Sequence, residues 1–353
     1  MKTGIKLAAD VINRVSLRAS LGVPRSAAGL IGALLVCAAS FSAHAQTTSA
    51  APGAQAWPAK PIRMIVAFPP GGPTDIIART IGQKLTEQLG QQVVIDNKPG
   101  AGGNIGAELA AKAAPDGYTV FYNTSAIVIG PALYGKVSYD TLKDFAPVLL
   151  AAAVPMVLVV HPSVPAKTVK EFVDHAKTKP GQLNYSSSGT GTITHLASAM
   201  FAAQTGIQMQ HIAYKGSAPG LVDLAAGQTQ SMTDTINTAL PYIRDGRLRA
   251  LAVTSLKRSS VLPDVPSLHE SGLTGFDAAA WQGIVVPTGT APDIIARLNA
   301  EVNKVLAHPD VRARLAAQGA DTFGGTPAEY AAYIRSEMPR WAKAIKDSGA
   351  KAE

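Results

Sequence analysis

The alternation of strand-like and helix-like segments is the feature that most constrains the fold of this chain. From Trp57 onward, short runs rich in β-branched and aromatic residues alternate with segments whose apolar residues recur every three to four positions. In the first unit, residues 62–68 are predicted to form a strand, and Ile77, Ile81 and Leu85 lie on one face of the helix that follows. Because crossover helices favour parallel pairing, the sequence predicts an α/β protein with mainly parallel sheets flanked by helices.

An almost wholly apolar run from Val148 to Val160, broken by Pro155, interrupts this alternation and is predicted to be buried extended chain. Strand and helix patterns then continue, and the chain returns near Trp281 before three amphipathic helices that each begin with proline. The run 148–160 and the return near Trp281 are predicted to be two crossings between lobes. They divide the chain into two lobes with a ligand cleft between them. The predicted boundaries are 57–157 plus 281–353 for lobe I, and 158–280 for lobe II.

The N-terminal segment is predicted to be a secretory signal peptide. Five basic residues precede an apolar run from Ala27 to Phe41, and Ala43-His44-Ala45 supplies the small residues that cleavage requires. The run is shorter than the roughly 18 to 20 apolar residues of a membrane span. We expect residues 1–45 to be removed after Ala45 and residues 46–56 to form a linker, so that the mature protein lies in the periplasm.

The only cysteine in the sequence, Cys37, lies within this leader. Val36 before it is a poor fit to the Gly or Ala of lipoprotein processing, which disfavours a lipid anchor. The exported chain then has no thiol for a disulfide or a thiolate metal site. The formal net charge is +8, but five of the 32 basic residues lie in the leader, and no Lys/Arg cluster interleaves with aromatic residues. We therefore expect no nucleic-acid partner, and the mild positive charge suits an anionic ligand.

Two loops that follow predicted strands are rich in glycine and hydroxyl residues, and they lie where open α/β sheets bind ligands. In the first loop (residues 68–75), Gly72 is the predicted N-cap and Pro73 fills the first helical position, so the next N–H groups are free. In the second loop (residues 186–192), N–H groups and hydroxyls can converge on a carboxylate. Ordinary strand-to-helix turns also favour Gly and Ser, and they remain the alternative interpretation.

Three titratable residues near these loops are candidates for ligand contact. Asp75 would repel a carboxylate, so we expect it to cap its own helix or to hold a bridging water. Asp234 ends a strand of lobe II, where it would meet a ligand hydroxyl or amine, or else be a solvated turn carboxylate. His195 follows Thr192 by three residues on a helix that enters the cleft, and a core histidine is an equally good interpretation.

Enzyme motifs are absent from the sequence. It contains no Gly-x-Ser-x-Gly elbow, no His-Glu-x-x-His and no phosphate loop ending in Gly-Lys-Ser/Thr. Residues 100–105 begin like a dinucleotide fingerprint, but Ile105 stands where the third glycine belongs. The six histidines outside the leader show no metal-ligand spacing. We expect a protein that is not an enzyme and that needs no metal and no cofactor.

Several long motifs occur in a fixed order along the chain. They are Trp57-Pro-x-Lys-Pro-Ile-Arg-x-Ile-Val-x-Phe68-Pro-Pro-Gly-Gly-Pro-Thr-Asp75, Asn97-Lys-Pro-Gly-Ala-Gly-Gly-Asn104-Ile-Gly, Pro115-Asp-Gly-Tyr118-Thr, Ser187-Ser-Gly-Thr-Gly-Thr192 with His195-Leu, and Tyr214-Lys215-Gly216. Together they closely resemble the Bug family, the substrate-binding components of tripartite tricarboxylate transporters. The resemblance extends from Trp57 to the C-terminal helices.

The resemblance implies the two-lobed fold of periplasmic binding proteins, with a carboxylate held between the first loop, partly through ordered waters, and the second loop. The family serves citrate, other di- and tricarboxylates, acidic amino acids, and nicotinate-like and aromatic carboxylates. Thr233 stands where members often carry Phe, which leaves the distal pocket and the ligand open. The predicted ligand-binding residues are Phe68, Gly71, Gly72, Pro73, Thr74, Asp75, Ser187, Ser188, Gly189, Gly191, Thr192, His195, Tyr214, Lys215, Gly216 and Asp234.

The expected partners are a small carboxylate and the membrane subunits of a transporter, with the protein itself a monomer. The alternative is a periplasmic sensor that presents its ligand to a membrane receptor kinase, since both roles use the same pair of closing lobes.

Overall fold

The computed structural model describes residues 57–352. The predicted signal peptide (residues 1–45) and linker (residues 46–56) lie outside the described residues. Ten strands occur in the described part of the chain. They are β1 (Ile62–Val66), β2 (Val93–Asn97), β3 (Thr119–Thr124), β4 (Phe145–Val160), β5 (Leu183–Ser187), β6 (Met209–Ala213), β7 (Ser231–Thr235), β8 (Arg249–Val253), β9 (Ala279–Pro287) and β10 (Asp321–Gly324).

Ten α-helices connect or cover these strands within residues 57–352. They are α1 (Pro73–Leu89), α2 (Asn104–Ala111), α3 (Ala126–Tyr134), α4 (Val169–Lys177), α5 (Ile193–Thr205), α6 (Ser217–Ala225), α7 (Ile236–Arg244), α8 (Pro292–Ala307), α9 (Pro309–Ala316) and α10 (Pro327–Ser348).

The strands follow the order β2-β1-β3-β9-β4-β7-β5-β6, with β10 and β8 also paired to β4. Parallel pairing joins β1 to β2 and β3, and joins β5 to β6 and β7. The pairings of β4, β9 and β10 are all antiparallel. The two-lobed α/β class is confirmed. Antiparallel pairing is more frequent than the sequence indicated, because β4 and β9 carry the chain between the two halves of the sheet.

Strand β4 belongs to both halves. Residues 145–155 pair with β9, whereas Met156 and the residues after it pair with β7 and β8. The change of partner falls at Pro155, which has no N–H to donate to a ladder. The lobe boundaries at residues 157/158 and 280/281 stay a prediction.

The apolar stripe of α1 lies in the core, as its periodicity indicates. Ile77 and Ile81 are fully buried, and they pack in one cluster with residues of β1 and of α8. Burying a side chain of this size contributes about 1.5–3 kcal/mol, so the stripe fixes α1 and the loop before it against the sheet. Helix α3 and strand β10 were not expected from the sequence.

Two searches of residues 57–352 gave negative results. No helix there is long and apolar enough to cross a membrane. No group of three or more His, Cys, Asp or Glu residues in the same range is placed to hold a metal ion.

Candidate functional site

A cavity of about 50 Å³ lies where strands of both halves of the sheet end, beside a larger groove of about 510 Å³. The carboxyl ends of β1, β3, β5, β6 and β7 lead into its walls, and β9 supplies part of its floor. This is the position at which open α/β sheets bind ligands. Phe68, Pro69, Ser188, Lys215 and Gly216 line both spaces, so the cavity and the groove are contiguous.

Five helices begin at the wall of this cavity. Gly72, Thr192 and Gly216 are the N-caps of α1, α5 and α6, and all three line it. Thr235 is the N-cap of α7 and Ala126 is the first residue of α3, and both line it as well. The first N–H groups of a helix have no acceptor within the helix, and the helix dipole places partial positive charge there. The cavity is therefore suited to an anion.

The first loop is held by the carboxylate of Asp75, which is 1% exposed. Its Oδ2 accepts from the Gly71 N–H at 2.8 Å and from Arg79 Nε at 2.8 Å, and its Oδ1 accepts from Asn97 Nδ2 at 2.8 Å. Asn97 also donates to the Phe68 carbonyl. Burial opposes ionisation, but these hydrogen bonds and the Arg79 charge outweigh it and lower the pKa of Asp75. Asp75 thus organises the loop before its own helix by accepting from Gly71, which precedes the N-cap Gly72. The bridging water stays a prediction.

The second loop is held by neutral hydroxyls. Thr194 Oγ1 accepts from the Ser188 N–H at 2.8 Å and lies 2.8 Å from Ser188 Oγ and 2.9 Å from Thr192 Oγ1. Thr192 Oγ1 donates to the Gly189 carbonyl at 2.7 Å. The hydroxyls that line the cavity from this side are therefore fixed by one another before any ligand arrives.

His195 lies behind the second loop, with 3% of its surface exposed. Its Nδ1 accepts from the Gly191 N–H at 3.3 Å, and its ring stacks on His211 with centroids 4.1 Å apart. Tyr185 also stacks with His211, with ring centroids 5.0 Å apart, and its ring centroid lies 6.5 Å from that of His195. Burial, together with the neighbouring His211, lowers the pKa of His195 to about 3. His195 is a neutral packing residue that orients the loop, in agreement with the core interpretation.

Asp234, at the end of β7, is fully buried. Its Oδ1 accepts from Ser217 Oγ at 2.7 Å and its Oδ2 accepts from Thr238 Oγ1 at 2.8 Å. Burial raises the pKa of Asp234 to about 6, although hydrogen bonds from Ser217, Thr238 and the Thr235 backbone act in the opposite direction. Asp234 is neither the solvated carboxylate nor a wall residue. It holds Ser217, the first residue of α6, which does line the cavity.

The two halves of the protein touch at the edge of the cavity. Gly216 has a φ of 112°, and a Cβ there would lie 3.0 Å from Pro69 Cγ. Tyr134 at the end of α3 donates its hydroxyl to the Thr190 carbonyl at 2.9 Å. A Cβ on Gly102 would lie 2.5 Å from the same carbonyl oxygen. These two close approaches between the halves need glycine at positions 216 and 102.

Lys215 is exposed at the junction of cavity and groove. It forms no salt bridge with any residue among 57–352. Tyr214 beside it lines the groove, but its hydroxyl donates to Asp223 Oδ2 at 2.7 Å. Lys215 is thus the charged side chain on the cavity wall.

The structure divides the predicted ligand residues into three sets. Eight of them line the cavity: Phe68, Gly72, Pro73, Thr74, Ser188, Thr192, Lys215 and Gly216. Gly189 and Tyr214 line the groove without reaching the cavity. Gly71, Asp75, Ser187, Gly191, His195 and Asp234 line neither space. Contact of any of these residues with a ligand stays a prediction.

Other wall residues were missed from the sequence. Thr124 and Ala126 reach the cavity from the end of β3, and Ala280 and Gln282 reach it from β9. A signal was available for Gln282, because it is the one polar residue in the apolar stretch 278–286. Ser217 could have been found as the first helical residue after Gly216.

Residues 77–350 match the family model described as "Tripartite tricarboxylate transporter family receptor". The chain belongs to this receptor family. A relative from Pseudomonas sp. strain P51, the UPF0065 protein in the tcbD-tcbE intergenic region, is 44% identical over 306 residues, which cover 86% of this chain and 91% of that protein.

Solved structures agree with the family. The structure "R. palustris Rpa4515 with adipate" is similar with a TM-score of 0.81 and 36% identity, over 84% of this chain and 99% of that one. The periplasmic binding protein BugD is similar with a TM-score of 0.81 and 33% identity, over 84% of this chain and 100% of that one. The resemblance to the Bug family is confirmed, and receptors of this family include periplasmic binding proteins.

Proposed function

We propose that this receptor captures a small carboxylate in the cavity and delivers it to the membrane subunits of a tripartite tricarboxylate-type transporter. The observation that carries the proposal is the convergence of five helix N-termini, with Lys215, on one cavity. No carboxylate side chain lines that cavity among the described residues. An anionic ligand would find donors and positive potential there, whereas a cation would lack a counter-charge.

The magnitudes of these interactions are sufficient for capture. Each helix terminus contributes about 0.3–1 kcal/mol to an anion, and each hydrogen bond to a charged group contributes about 1.5–3 kcal/mol. Five termini with two or three such bonds reach about 8 kcal/mol, which corresponds to a micromolar dissociation constant. Contacts from both loops are needed for that sum, so binding favours the closed arrangement of the two lobes.

Thr192→Val tests the proposal, because Thr192 lines the cavity and its hydroxyl caps α5. Thr168→Val is the matched control, since Thr168 caps α4 through the same kind of bond and lies outside the cavity. Each variant loses about 1 kcal/mol of stability with its cap. We expect only Thr192→Val to weaken binding of a carboxylic acid, by about tenfold in calorimetry on refolded, ligand-free protein.

The acid is compared with its amide and its methyl ester in the same experiment. The acid should bind at least about tenfold more tightly than either neutral analogue, because the helix termini act on charge. Equal affinity for acid and amide, or equal weakening by the two threonine variants, would contradict the proposal.

We also propose that the protein is exported to the periplasm as a monomer, with cleavage after Ala45, and that it does not convert its ligand. Support for export comes from the leader pattern and from the periplasmic relatives. Support for simple binding comes from His195, whose buried neutral ring lies behind the second loop. N-terminal sequencing, and loss of labelled-ligand uptake on deletion, test export and delivery. A sensor would leave uptake unchanged.

A further inference from the structure

One buried side-chain oxygen on the cavity wall has no hydrogen-bond partner among residues 57–352. Gln282 is 1% exposed, lines the cavity, and its buried Oε1 accepts no hydrogen bond. Other buried side-chain atoms without partners occur in residues 57–352, on Trp57, Gln88, Tyr122, Ser125, Ser198, Asn237 and Gln318. None of those residues lines the cavity or the groove, so the orphan acceptor of Gln282 is distinguished by its position.

Gln282 is held rigidly. It lies in β9 between two neighbouring strands, opposite Thr124 of β3 and Ala152 of β4. Its backbone is therefore fixed by ladders on both sides, and its side chain lies on the same face of β9 as Ala280, which also lines the cavity. Because buried polar groups in proteins are normally paired, an unpaired amide at a fixed position in a binding cavity indicates a partner that arrives with the ligand.

The surroundings of Gln282 differ from those of the two loops. Its nearest sequence neighbour on the wall is Ala280, and the facing strand presents Thr124. The helix N-termini that suit a carboxylate offer N–H donors, whereas Gln282 Oε1 offers an acceptor. The two features therefore select different groups on one molecule.

We propose that Gln282 is a specificity-determining residue that accepts a hydrogen bond from a hydroxyl or ammonium group of the ligand. The ligand is then a hydroxy- or amino-substituted carboxylic acid in preference to its unsubstituted parent. This inference rests on the proposed carboxylate capture and adds the second functional group. An unsubstituted acid would leave Oε1, which is already withdrawn from water, without a hydrogen bond.

Calorimetry with pairs of acids that differ by one hydroxyl tests the inference on wild-type protein. The pairs are succinate with malate, propionate with lactate, and benzoate with 4-hydroxybenzoate. For the pairs that bind, we expect the hydroxylated member to bind about tenfold more tightly. In Gln282→Met, which keeps the side-chain length without the amide, the ratio should fall to about twofold or less.

Gln318→Met is the matched control, because Gln318 also has a buried Oε1 without a partner but lies outside the cavity. It should keep the wild-type ratio. Equal binding of both members by wild-type protein overturns the inference and leaves carboxylate capture standing. If Gln282→Met weakens binding of both acids of a pair alike, the inference is also overturned and carboxylate capture still stands. Binding of no acid in any pair contradicts the proposed function and this inference together. The wild-type ratio needs no variant, so poor folding of Gln282→Met does not prevent the test.

Discussion

Two buried aspartates stand behind the cavity, one in each half of the sheet, and their charge states differ. Asp75 supports the first loop and has Arg79 as a partner at 2.8 Å. Asp234 supports the start of α6, and the neutral hydroxyls of Ser217 and Thr238 donate to its carboxylate. The pKa of Asp75 is lowered, and that of Asp234 is raised to about 6. Neither carboxylate is exposed to solvent, but Asp234 lies deeper in the protein than Asp75, so the difference comes from the depth of burial as well as from the partners.

This comparison shows that the charge of a buried carboxylate depends on the balance between its depth of burial and its hydrogen-bond donors, one of which is a cation for Asp75. Both carboxylates accept hydrogen bonds, but neutral donors offset only part of the loss of hydration on burial. The first loop is therefore held by a fixed charge at neutral pH. The start of α6 is held by a group that titrates close to neutral pH.

The largest expected effect comes from Asp75→Ala. The change leaves the Gly71 N–H, Asn97 and Arg79 without their common acceptor, and Arg79 regains water because its side chain is half exposed. We expect a loss of about 3 kcal/mol in the free energy of unfolding, measured by urea denaturation at pH 7. A loss below about 1 kcal/mol would show that the loop does not depend on this carboxylate.

The two carboxylates should also differ in the pH range over which they act. The folded pKa of Asp75 lies below its ordinary value of 3.8, so its stabilisation is present above that value and is lost only as the pH falls below it. The penalty of Asp75→Ala should therefore stay constant between pH 5 and pH 8, as a control series of denaturations can check.

Asp234→Asn should remove a dependence of stability on pH. The folded pKa of Asp234, about 6, lies above 3.8, so between these values the folded protein binds more protons than the unfolded chain. Its contribution to the free energy of unfolding therefore falls as the pH rises through this window, by up to about 1.4 kcal/mol per pH unit. Denaturation at pH 4.5, 5.5 and 7 should show this component in wild-type protein and not in Asp234→Asn. Identical slopes would contradict it.

The smallest effect on stability is expected from Arg79→Ala, which tests the role of the cation directly. Arg79 is 51% exposed, so its ion pair contributes at most about 1 kcal/mol. The pKa of Asp75 should nevertheless rise, because the partner charge is gone while the burial remains. Carboxyl NMR titration of Asp75 measures this shift. Arg63→Ala is the control, since Arg63 pairs with Asp96 on β2. An unchanged Asp75 pKa in Arg79→Ala would mean that the neutral donors are sufficient.

The regular elements could be predicted from the sequence, because apolar periodicity and capping residues act locally. The three helices that begin with proline were expected after Trp281, and α8, α9 and α10 lie there. Helix α3 was missed, because its apolar residues lack a period of 3.6 and Gly130 and Pro131 disfavour a helix. Its burial on the sheet overrides that local preference. The omission matters for the site, since α3 begins at the cavity and ends at Tyr134, which bonds to the other half.

The candidate site was predictable only where a motif carries its own geometry. Glycine and hydroxyl loops after strands indicated Gly72, Ser188 and Thr192, which line the cavity. The chain order does not reveal whether a carboxylate faces a cavity or its own loop. Asp234 accepts from Ser217 and Thr238, and its contact with a ligand stays a prediction. Gln282 comes from a distant strand that only the sheet order brings to the site.

That sheet order has a consequence for biosynthesis. Strand β9 (residues 279–287) lies between β3 and β4, yet it leaves the ribosome long after both of them. Until it emerges, β3 and the first part of β4 have no neighbour at the edges where β9 will insert. The N-terminal half therefore cannot complete its sheet during most of translation. Long-range pairing of this kind slows folding, so the sheet can close only after residues 279–287 have been synthesised.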